Sequence, residues 1–379
     1  MRKDKPILII VDQDELHHID NITRYSSLAW DRKFTDVGTF EFWCELDKKN
    51  VELIKKERIV WFKGEKEAGI ILSFQEETQE DGSKKLDVKG KMISQYLTRR
   101  IVWGTYTCSS KKNISQIMKE LVSENMIETM QERKIEKFVI QTDTEEFGEK
   151  IQYQQTGKEV LSALQELSDA CNNSIGFRIS LDLENEQMIF NVIQGKDRSL
   201  GNADGNEPVV LSTNMSDILE SKYSTSCADE KTTALVAGAG EDVDRIKVIS
   251  GDSKISGIYR KEMYVDARDL QKKNADNTEI DAETYNSMLD MRGMSKLGEH
   301  VVEESFDVTV RTVGNVNYEF EKDYFIGDII TVEDSILGIR ANVRILNVNE
   351  SWDNSGYVLK MTYGYTQLSI MNKIKRVIS

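Results

Sequence analysis

Proline is nearly absent from this chain: Pro6 and Pro208 are the only two in 379 residues. That excludes proline-rich linkers between domains. Histidine is almost as scarce, with only His17, His18 and His300. The first two are adjacent, so on a strand they face opposite sides and form no metal pair. Cys44, Cys108, Cys171 and Cys227 stand about sixty residues apart, with no CxxC. This spacing argues against a zinc site or a disulfide framework and predicts four buried thiols in a reducing compartment. Apolar runs such as ILIIV (Ile7 to Val11) are too short to span a bilayer. The basic N-terminus MRKDKPILIIVDQDE lacks a signal-peptide cleavage pattern. There is also no Lys/Arg block, and the net charge is −15. Stable nucleic-acid binding needs a basic face and is excluded on this ground. Transient passage of DNA is not, because like charge discourages sticking.

What is present fits a soluble globular chain, with 30% charged and 39% hydrophobic residues. The length calls for roughly two to four domains. The first hundred residues read as β-structure. In GTFEFWCEL, Phe40, Phe42, Cys44 and Leu46 alternate with Glu41, Trp43 and Glu45, the period of a half-buried strand. RIVWF (Arg58 to Phe62) follows, then GIILSFQEETQEDGSKKLDVKG. There Ile70, Leu72 and Phe74 are assigned to one face, and Asp81-Gly82 to a hairpin turn.

From about Thr105 the period becomes helical: Ile114, Ile117, Met118, Leu121 and Val122 form one stripe. A second helix is predicted to open at Thr156, with Glu159 completing a capping box and Val160, Leu161, Leu164 and Leu167 as its apolar face. Strands flank these helices. A later helix over DAETYNSMLDMRGMSKLGEH packs through Tyr285, Met288, Leu289 and Leu297. The remainder returns to strands: SFDVTVRT, DIITVED, ANVRILNVNE and YVLKMTYG.

The motifs that invite a chemical reading are weak. VAGAGEDVDR (Val236 to Arg245) has Val243 where a dinucleotide fingerprint needs its third glycine, so it reads as a turn. Glu76, Glu77, Glu80 and Asp81 lack calcium-loop spacing and read as a solvated hairpin tip. GKDRS (Gly195 to Ser199) reads as a turn stapled by an Asp–Arg pair rather than an anion site. With 65 acids, candidate carboxylate pairs for a glycosidase are too numerous to inform. In KDYFIGDIITV (Lys322 to Val332), Asp328 beside Gly327 could be a buried catalytic acid or the entry to a strand. No base, nucleophile or ligand accompanies it, so the strand entry is preferred. No catalytic, cofactor-binding or metal-binding residue is assigned, and no cofactor is expected.

The two ends of the chain echo one another. RIVWF, AGIILSF, an acidic hairpin and LDVKG match in order DIITV, ANVRILNV, the hairpin ESWDNSGY and VLKMTYG. This reads as duplication of a small barrel around an inserted α+β domain.

Several ordered segments resemble the tail-hub proteins of long-tailed (siphovirus-type) bacteriophages and prophages, including the N-terminal region of tail-associated lysins and prophage tail endopeptidases. They are FTDVGTFEFWCEL, QYLTRRIVWGTY (Gln95 to Tyr106), TGKEVLSALQELSDACNNSIGFR, QGKDRS, YRKEMYVDARDL (Tyr259 to Leu270), MLDMRGMSKLGEH and YEFEKDYFIGDIITV. The resemblance implies an α+β, mainly β fold with four parts: a first β-barrel over 1–104, an α+β insertion over 105–205, a second barrel from 206–258 and 318–379, and a small α+β domain over 259–317. It also implies a homotrimer at the tail tip or baseplate of the virion, assembled in the bacterial cytoplasm. Its partners would be the distal tail ring, the tape-measure protein and other baseplate or receptor-binding proteins, with DNA passing through. Because the sequence stops at Ser379, the peptidase or hydrolase part of longer members is expected to be absent, and the chain is expected not to be an enzyme. The alternatives are a tail-associated cell-wall peptidase or glycosidase, or a receptor- or carbohydrate-binding module using aromatics such as Trp103 or Trp352.

Overall fold

The computed structural model describes residues 4–78, 82–142, 145–171, 174–215, 217–273, 278–312, 316–334 and 338–365. Its contacts separate two compact units. The first comprises Met1–Gln95, Phe177–Tyr223 and Ser305–Ser379, so far as they are described. The second comprises Tyr96–Gly176 and Ser224–Glu304. Strands predominate over helices, as the alternating sequence requires.

The first unit is built on two antiparallel meanders. One runs through strands Ile59–Trp61, Gly69–Thr78 and Lys84–Met92. The other runs through Ile329–Asp334, Ile339–Trp352 and Tyr357–Tyr365. Strands Tyr25–Lys33 and Thr39–Glu45 lie between them in one continuous sheet. Thr39–Glu45 pairs with Lys84–Met92, with Phe42 opposite Val88. Tyr25–Lys33 pairs with the far half of Ile339–Trp352, from Asn347 opposite Lys33 to Trp352 opposite Leu28. Beyond the second meander come Glu303–Val310, with Val308 opposite Met361, and then Ile218–Ser226. Among the described residues this pairing path is open and does not close into a barrel.

The two meanders open with the same backbone device. Glu57 and Gly327 both take left-handed φ, at 71° and 93°. The Glu57 N–H donates to the Ile71 carbonyl (2.8 Å), and the Gly327 N–H to the Ile345 carbonyl (2.8 Å). Ile71 and Ile345 return the bond to Arg58 and Asp328, at 2.9 and 3.0 Å. Arg58 and Asp328 in turn donate to the carbonyls three residues earlier, Lys55 and Phe325. A register break then falls between Ile71 and Ser73 in one meander and between Ile345 and Asn347 in the other. Such a bulge shifts the facing of every later side chain. Ile70, Leu72 and Phe74 do not share a buried face: Ile70 is buried, Leu72 is half-buried and Phe74 is 44% exposed, because from Ser73 to Thr78 the strand runs past the core with both faces exposed. Of the hairpin turn, Glu80 and Asp81 lie outside the described residues, while Gly82 has φ of 78°.

In the second unit, helix Ile114–Val122 buries the stripe read from the sequence. The next helix is Val160–Ala170, four residues later than the capping box proposed. Thr156 instead ends strand Lys150–Thr156, opposite Thr105, and Gly157 breaks away with φ of 68°. Strand pairing there overrides the capping propensity. Helix Ala282–Gly298 starts at an Asp281 cap and buries Tyr285, Met288, Leu289 and Leu297 against Ala234, Val236 and Val265. Two of the cysteines depart from the expectation of four buried thiols. Cys44 and Cys108 are buried, Cys171 is half-buried and Cys227 is exposed. Cys227 follows the exposed end of strand Ile218–Ser226, where no apolar layer covers it.

Candidate functional site: a buried charged junction

The Gly-Asp pair of KDYFIGDIITV is a structural knot. Asp328 is 3% exposed. Its Oδ1 accepts the Lys196 N–H at 2.8 Å, and its Oδ2 accepts the Arg198 Nε–H at 2.9 Å and the Phe325 N–H at 3.0 Å. The GKDRS turn is therefore stapled by an Asp–Arg pair, as its sequence suggests, but the acid is Asp328 rather than the neighbouring Asp197. Gly195 must be glycine, because a Cβ there would stand 1.7 Å from the Gly327 carbonyl oxygen. Replacing Asp328 by alanine removes a charge-assisted acceptor and leaves Arg198, whose side chain is 15% exposed, without its carboxylate. The expected cost is about 2–3 kcal/mol in the first unit, read from denaturant unfolding. A loss under about 0.5 kcal/mol would contradict this stapling role.

The dominant polar cluster lies where the two meanders meet through Tyr25–Lys33. On that strand Leu28, Trp30 and Arg32 share the buried face. Arg32 is 4% exposed, and its guanidinium collects acids from both meanders. Nη1 lies 3.2 Å from Glu65 of the first meander and 2.5 Å from Glu321, just ahead of the second. Nη2 bonds Glu350 on strand Ile339–Trp352. Glu350 also accepts the Tyr357 hydroxyl at 2.5 Å, and Glu65 accepts the Lys66 N–H at 2.8 Å. Burial alone would lower the Arg32 pKa, but Glu65, Glu350 and Glu321 outweigh it and hold Arg32 firmly protonated. The Phe320 ring covers the guanidinium at 5.4 Å. Phe62, Trp352, Tyr357 and Trp30 pack edge-on or tilted against one another, closing the cluster on its apolar side.

Glu67 adds a fourth acid, 4% exposed. Glu65, Glu67 and Glu350 are buried near Arg32 and Arg178, with the Glu321 side chain 40% exposed at the margin, so acids outnumber guanidiniums there. The relief is protonation: burial first, and Glu65 next among the groups that oppose its charge, push the Glu67 pKa up to about 7, against the pull of Arg178.

Chemically this arrangement clamps. Glu65 and Glu350 are each held by Arg32, and Glu67 is sealed from solvent. Among the described residues no group of three or more His, Cys, Asp or Glu is placed to hold a metal ion. Trp352 is 4% exposed and belongs to the aromatic packing, whereas Trp103 is 60% exposed. The sequence reading missed the cluster. The signals available were Arg32 in register with Leu28 and Trp30, and Glu350 in register with Val348 and Trp352. A charge at an inward-facing strand position needs a buried partner.

The fold is shared with solved tail proteins. The 43 kDa tail protein of prophage MuSo2 from Shewanella oneidensis is similar at a TM-score of 0.55 and 15% identity, covering 94% of this chain and 98% of that one. A tail protein from Neisseria meningitidis MC58 gives 0.53 and 13%, covering 95% and 97%. Prophage tail protein gp18 from Listeria monocytogenes EGD-e gives 0.53 and 12%, covering 98% of each. No curated protein matches the sequence. The family model of the Siphovirus ReqiPepy6 Gp37-like proteins matches residues 7–365. The resemblance to tail proteins of long-tailed phages is thereby borne out, and the chain belongs to the Siphovirus ReqiPepy6 Gp37-like family.

Proposed function

We propose that this chain is a non-enzymatic structural hub of a phage or prophage tail tip: a homotrimer that closes the tail tube, anchors other tip proteins and lets DNA pass. The observation that carries this reading is the repeated meander, with one left-handed entry residue, one pair of reciprocal backbone bonds and one bulge in each copy. Two such modules per chain, each developed into a barrel-like domain, give six similar units in a trimer. Six units match the six-fold symmetry of a tail tube. Family membership and the fold shared with prophage tail proteins support it. A charge of −15 suits a conduit through which DNA slides without sticking. The four-part division at 1–104, 105–205, 206–258 with 318–379, and 259–317 belongs to the same proposal, and limited proteolysis tests its boundaries.

Size-exclusion chromatography with light scattering, alone and with the distal tail ring, tests the role. The expected result is three copies, at the latest once the ring is present. A strict monomer that never joins the ring overturns the proposal. Zymography on purified peptidoglycan is expected to show no clearing. Lysis abolished by one acid or histidine substitution would restore the peptidase or glycosidase reading.

A further inference from the structure

Two strand edges of the first unit look like halves of the junction just described. By the shared entry and bulge, Ser73–Thr78 stands where Asn347–Trp352 stands in the second meander. Asn347–Trp352 is paired on one side with Tyr357–Thr362 and on the other with Leu28–Lys33. Ser73–Thr78 is paired on one side with Lys84–Lys89. On the other side, strand Ile59–Trp61 reaches only Gly69 and Ile70. Phe74 occupies the place of Val348, yet Phe74 is 44% exposed and Val348 is fully buried. Glu76 occupies the place of Glu350, the acid that binds Arg32.

The complementary half lies at the other end of the sheet. Thr39–Glu45 flanks the first meander as Glu303–Val310 flanks the second, with Phe42 opposite Val88 and Val308 opposite Met361. Tyr25–Lys33 lies outside Thr39–Glu45, and Ile218–Ser226 lies outside Glu303–Val310 as the terminal strand among the described residues. Its surface includes Leu219, 53% exposed, the acid Glu220 and the cation Lys222, while the opposing edge carries Glu76 and Glu77.

We propose that edge Ser73–Thr78 of one copy pairs with strand Ile218–Ser226 of a second copy, repeating between chains the junction made within the chain by Asn347–Trp352 and Tyr25–Lys33. The occupant is a second copy of this chain because each molecule carries both halves, at different places. The contact is heterologous, so it propagates head to tail and closes into a ring if each step turns by the right angle. Three copies carry six such junctions, three within chains and three between, at about 60° each. Assembly then covers Phe74 and brings Lys222 toward Glu77, beside the Lys84–Glu76 pair already made within the chain. It also removes two exposed strand edges, which otherwise invite uncontrolled pairing. This inference rests on the trimeric reading above and names the surfaces that make it.

The test uses the full chain in a Cys227→Ser background, with Glu77→Cys in one preparation and Lys222→Cys in another. A short bismaleimide, which tolerates a shift of a residue or two in register, is added at concentrations where light scattering reports the oligomer. A cross-linked pair is expected in the mixture and in neither preparation alone. Phe74→Asp, at an exposed position, is expected to leave the circular dichroism unchanged and weaken association about tenfold or more. A trimer by light scattering that shows no cross-link in the mixture and is indifferent to Phe74→Asp overturns this inference and leaves the hub reading standing. A chain that stays monomeric even with the distal tail ring overturns both.

Discussion

Arg32→Met is expected to destabilise the first unit by about 3–5 kcal/mol, the usual cost of removing one partner from a buried ion cluster. The loss exceeds that of an exposed ion pair because Glu65 and Glu350 are nearly fully buried and, without a counter-ion, must either stay charged in the core or take up protons at a cost. Arg32→Lys should recover little, since an ammonium cannot reach acids on two sides through separate nitrogens. Replacing the set together, Arg32→Met with Glu65→Gln and Glu350→Gln, should recover much of the stability, because neither buried acid bonded to Arg32 is then left as a bare charge. Tryptophan fluorescence during denaturant unfolding reports the unit through Trp30, Trp61 and Trp352. A loss under about 1 kcal/mol for Arg32→Met would show that the cluster is not what holds the meanders together.

Glu67 gives the second large effect, and it depends on pH. Its folded pKa, about 7, stands above the ordinary glutamate value of 4.5. The folded state therefore binds this proton more tightly than the unfolded chain. The associated stability is fully present below pH 4.5 and is lost as pH rises through 7. The groups facing Glu67 are Arg178, Glu65, Arg32 and Asp31, of which the acids favour the neutral form and the guanidiniums the charged one. Glu67→Gln keeps the neutral shape at every pH. Relative to wild type it should gain about 3 kcal/mol between pH 4.5 and pH 8, close to zero at the acid end. Unfolding free energies of both proteins across that range decide it. A difference that does not change with pH would mean that Glu67 takes up its proton no more readily in the fold than in the unfolded chain.

Much of the fold was legible because period and burial are coupled. The stripe Ile114, Ile117, Met118, Leu121 and Val122 is buried on one helix face, and Phe40, Phe42 and Cys44 are buried on one strand face. Where sequence reasoning failed, a longer-range constraint won. Thr156 went to a strand pair with Thr105 rather than to a helix cap, and Phe74 is exposed because strand Gly69–Thr78 runs past the core from Ser73 onward. The order of pieces in the two β regions was visible despite low identity. The backbone device behind it was not, since Glu57 and Gly327 adopt one conformation with side chains that share nothing. Asp328 was read as a strand entry and stands directly before strand Ile329–Asp334, but its partner Arg198 lies 130 positions away, beyond local inspection. The Arg32 cluster escaped for the same reason: its acids come from positions 65, 321 and 350, and only the inward register of Arg32 pointed to them.

The most direct measurement is electron microscopy of the purified chain assembled with the distal tail ring. Three chains should form one closed ring showing six similar densities around its axis, two from each chain, with an open centre. A two-fold dimer, a ring whose two densities per chain differ in size and spacing, or a chain that stays outside the assembly would contradict the reading of the repeated meanders as a tail-tip hub.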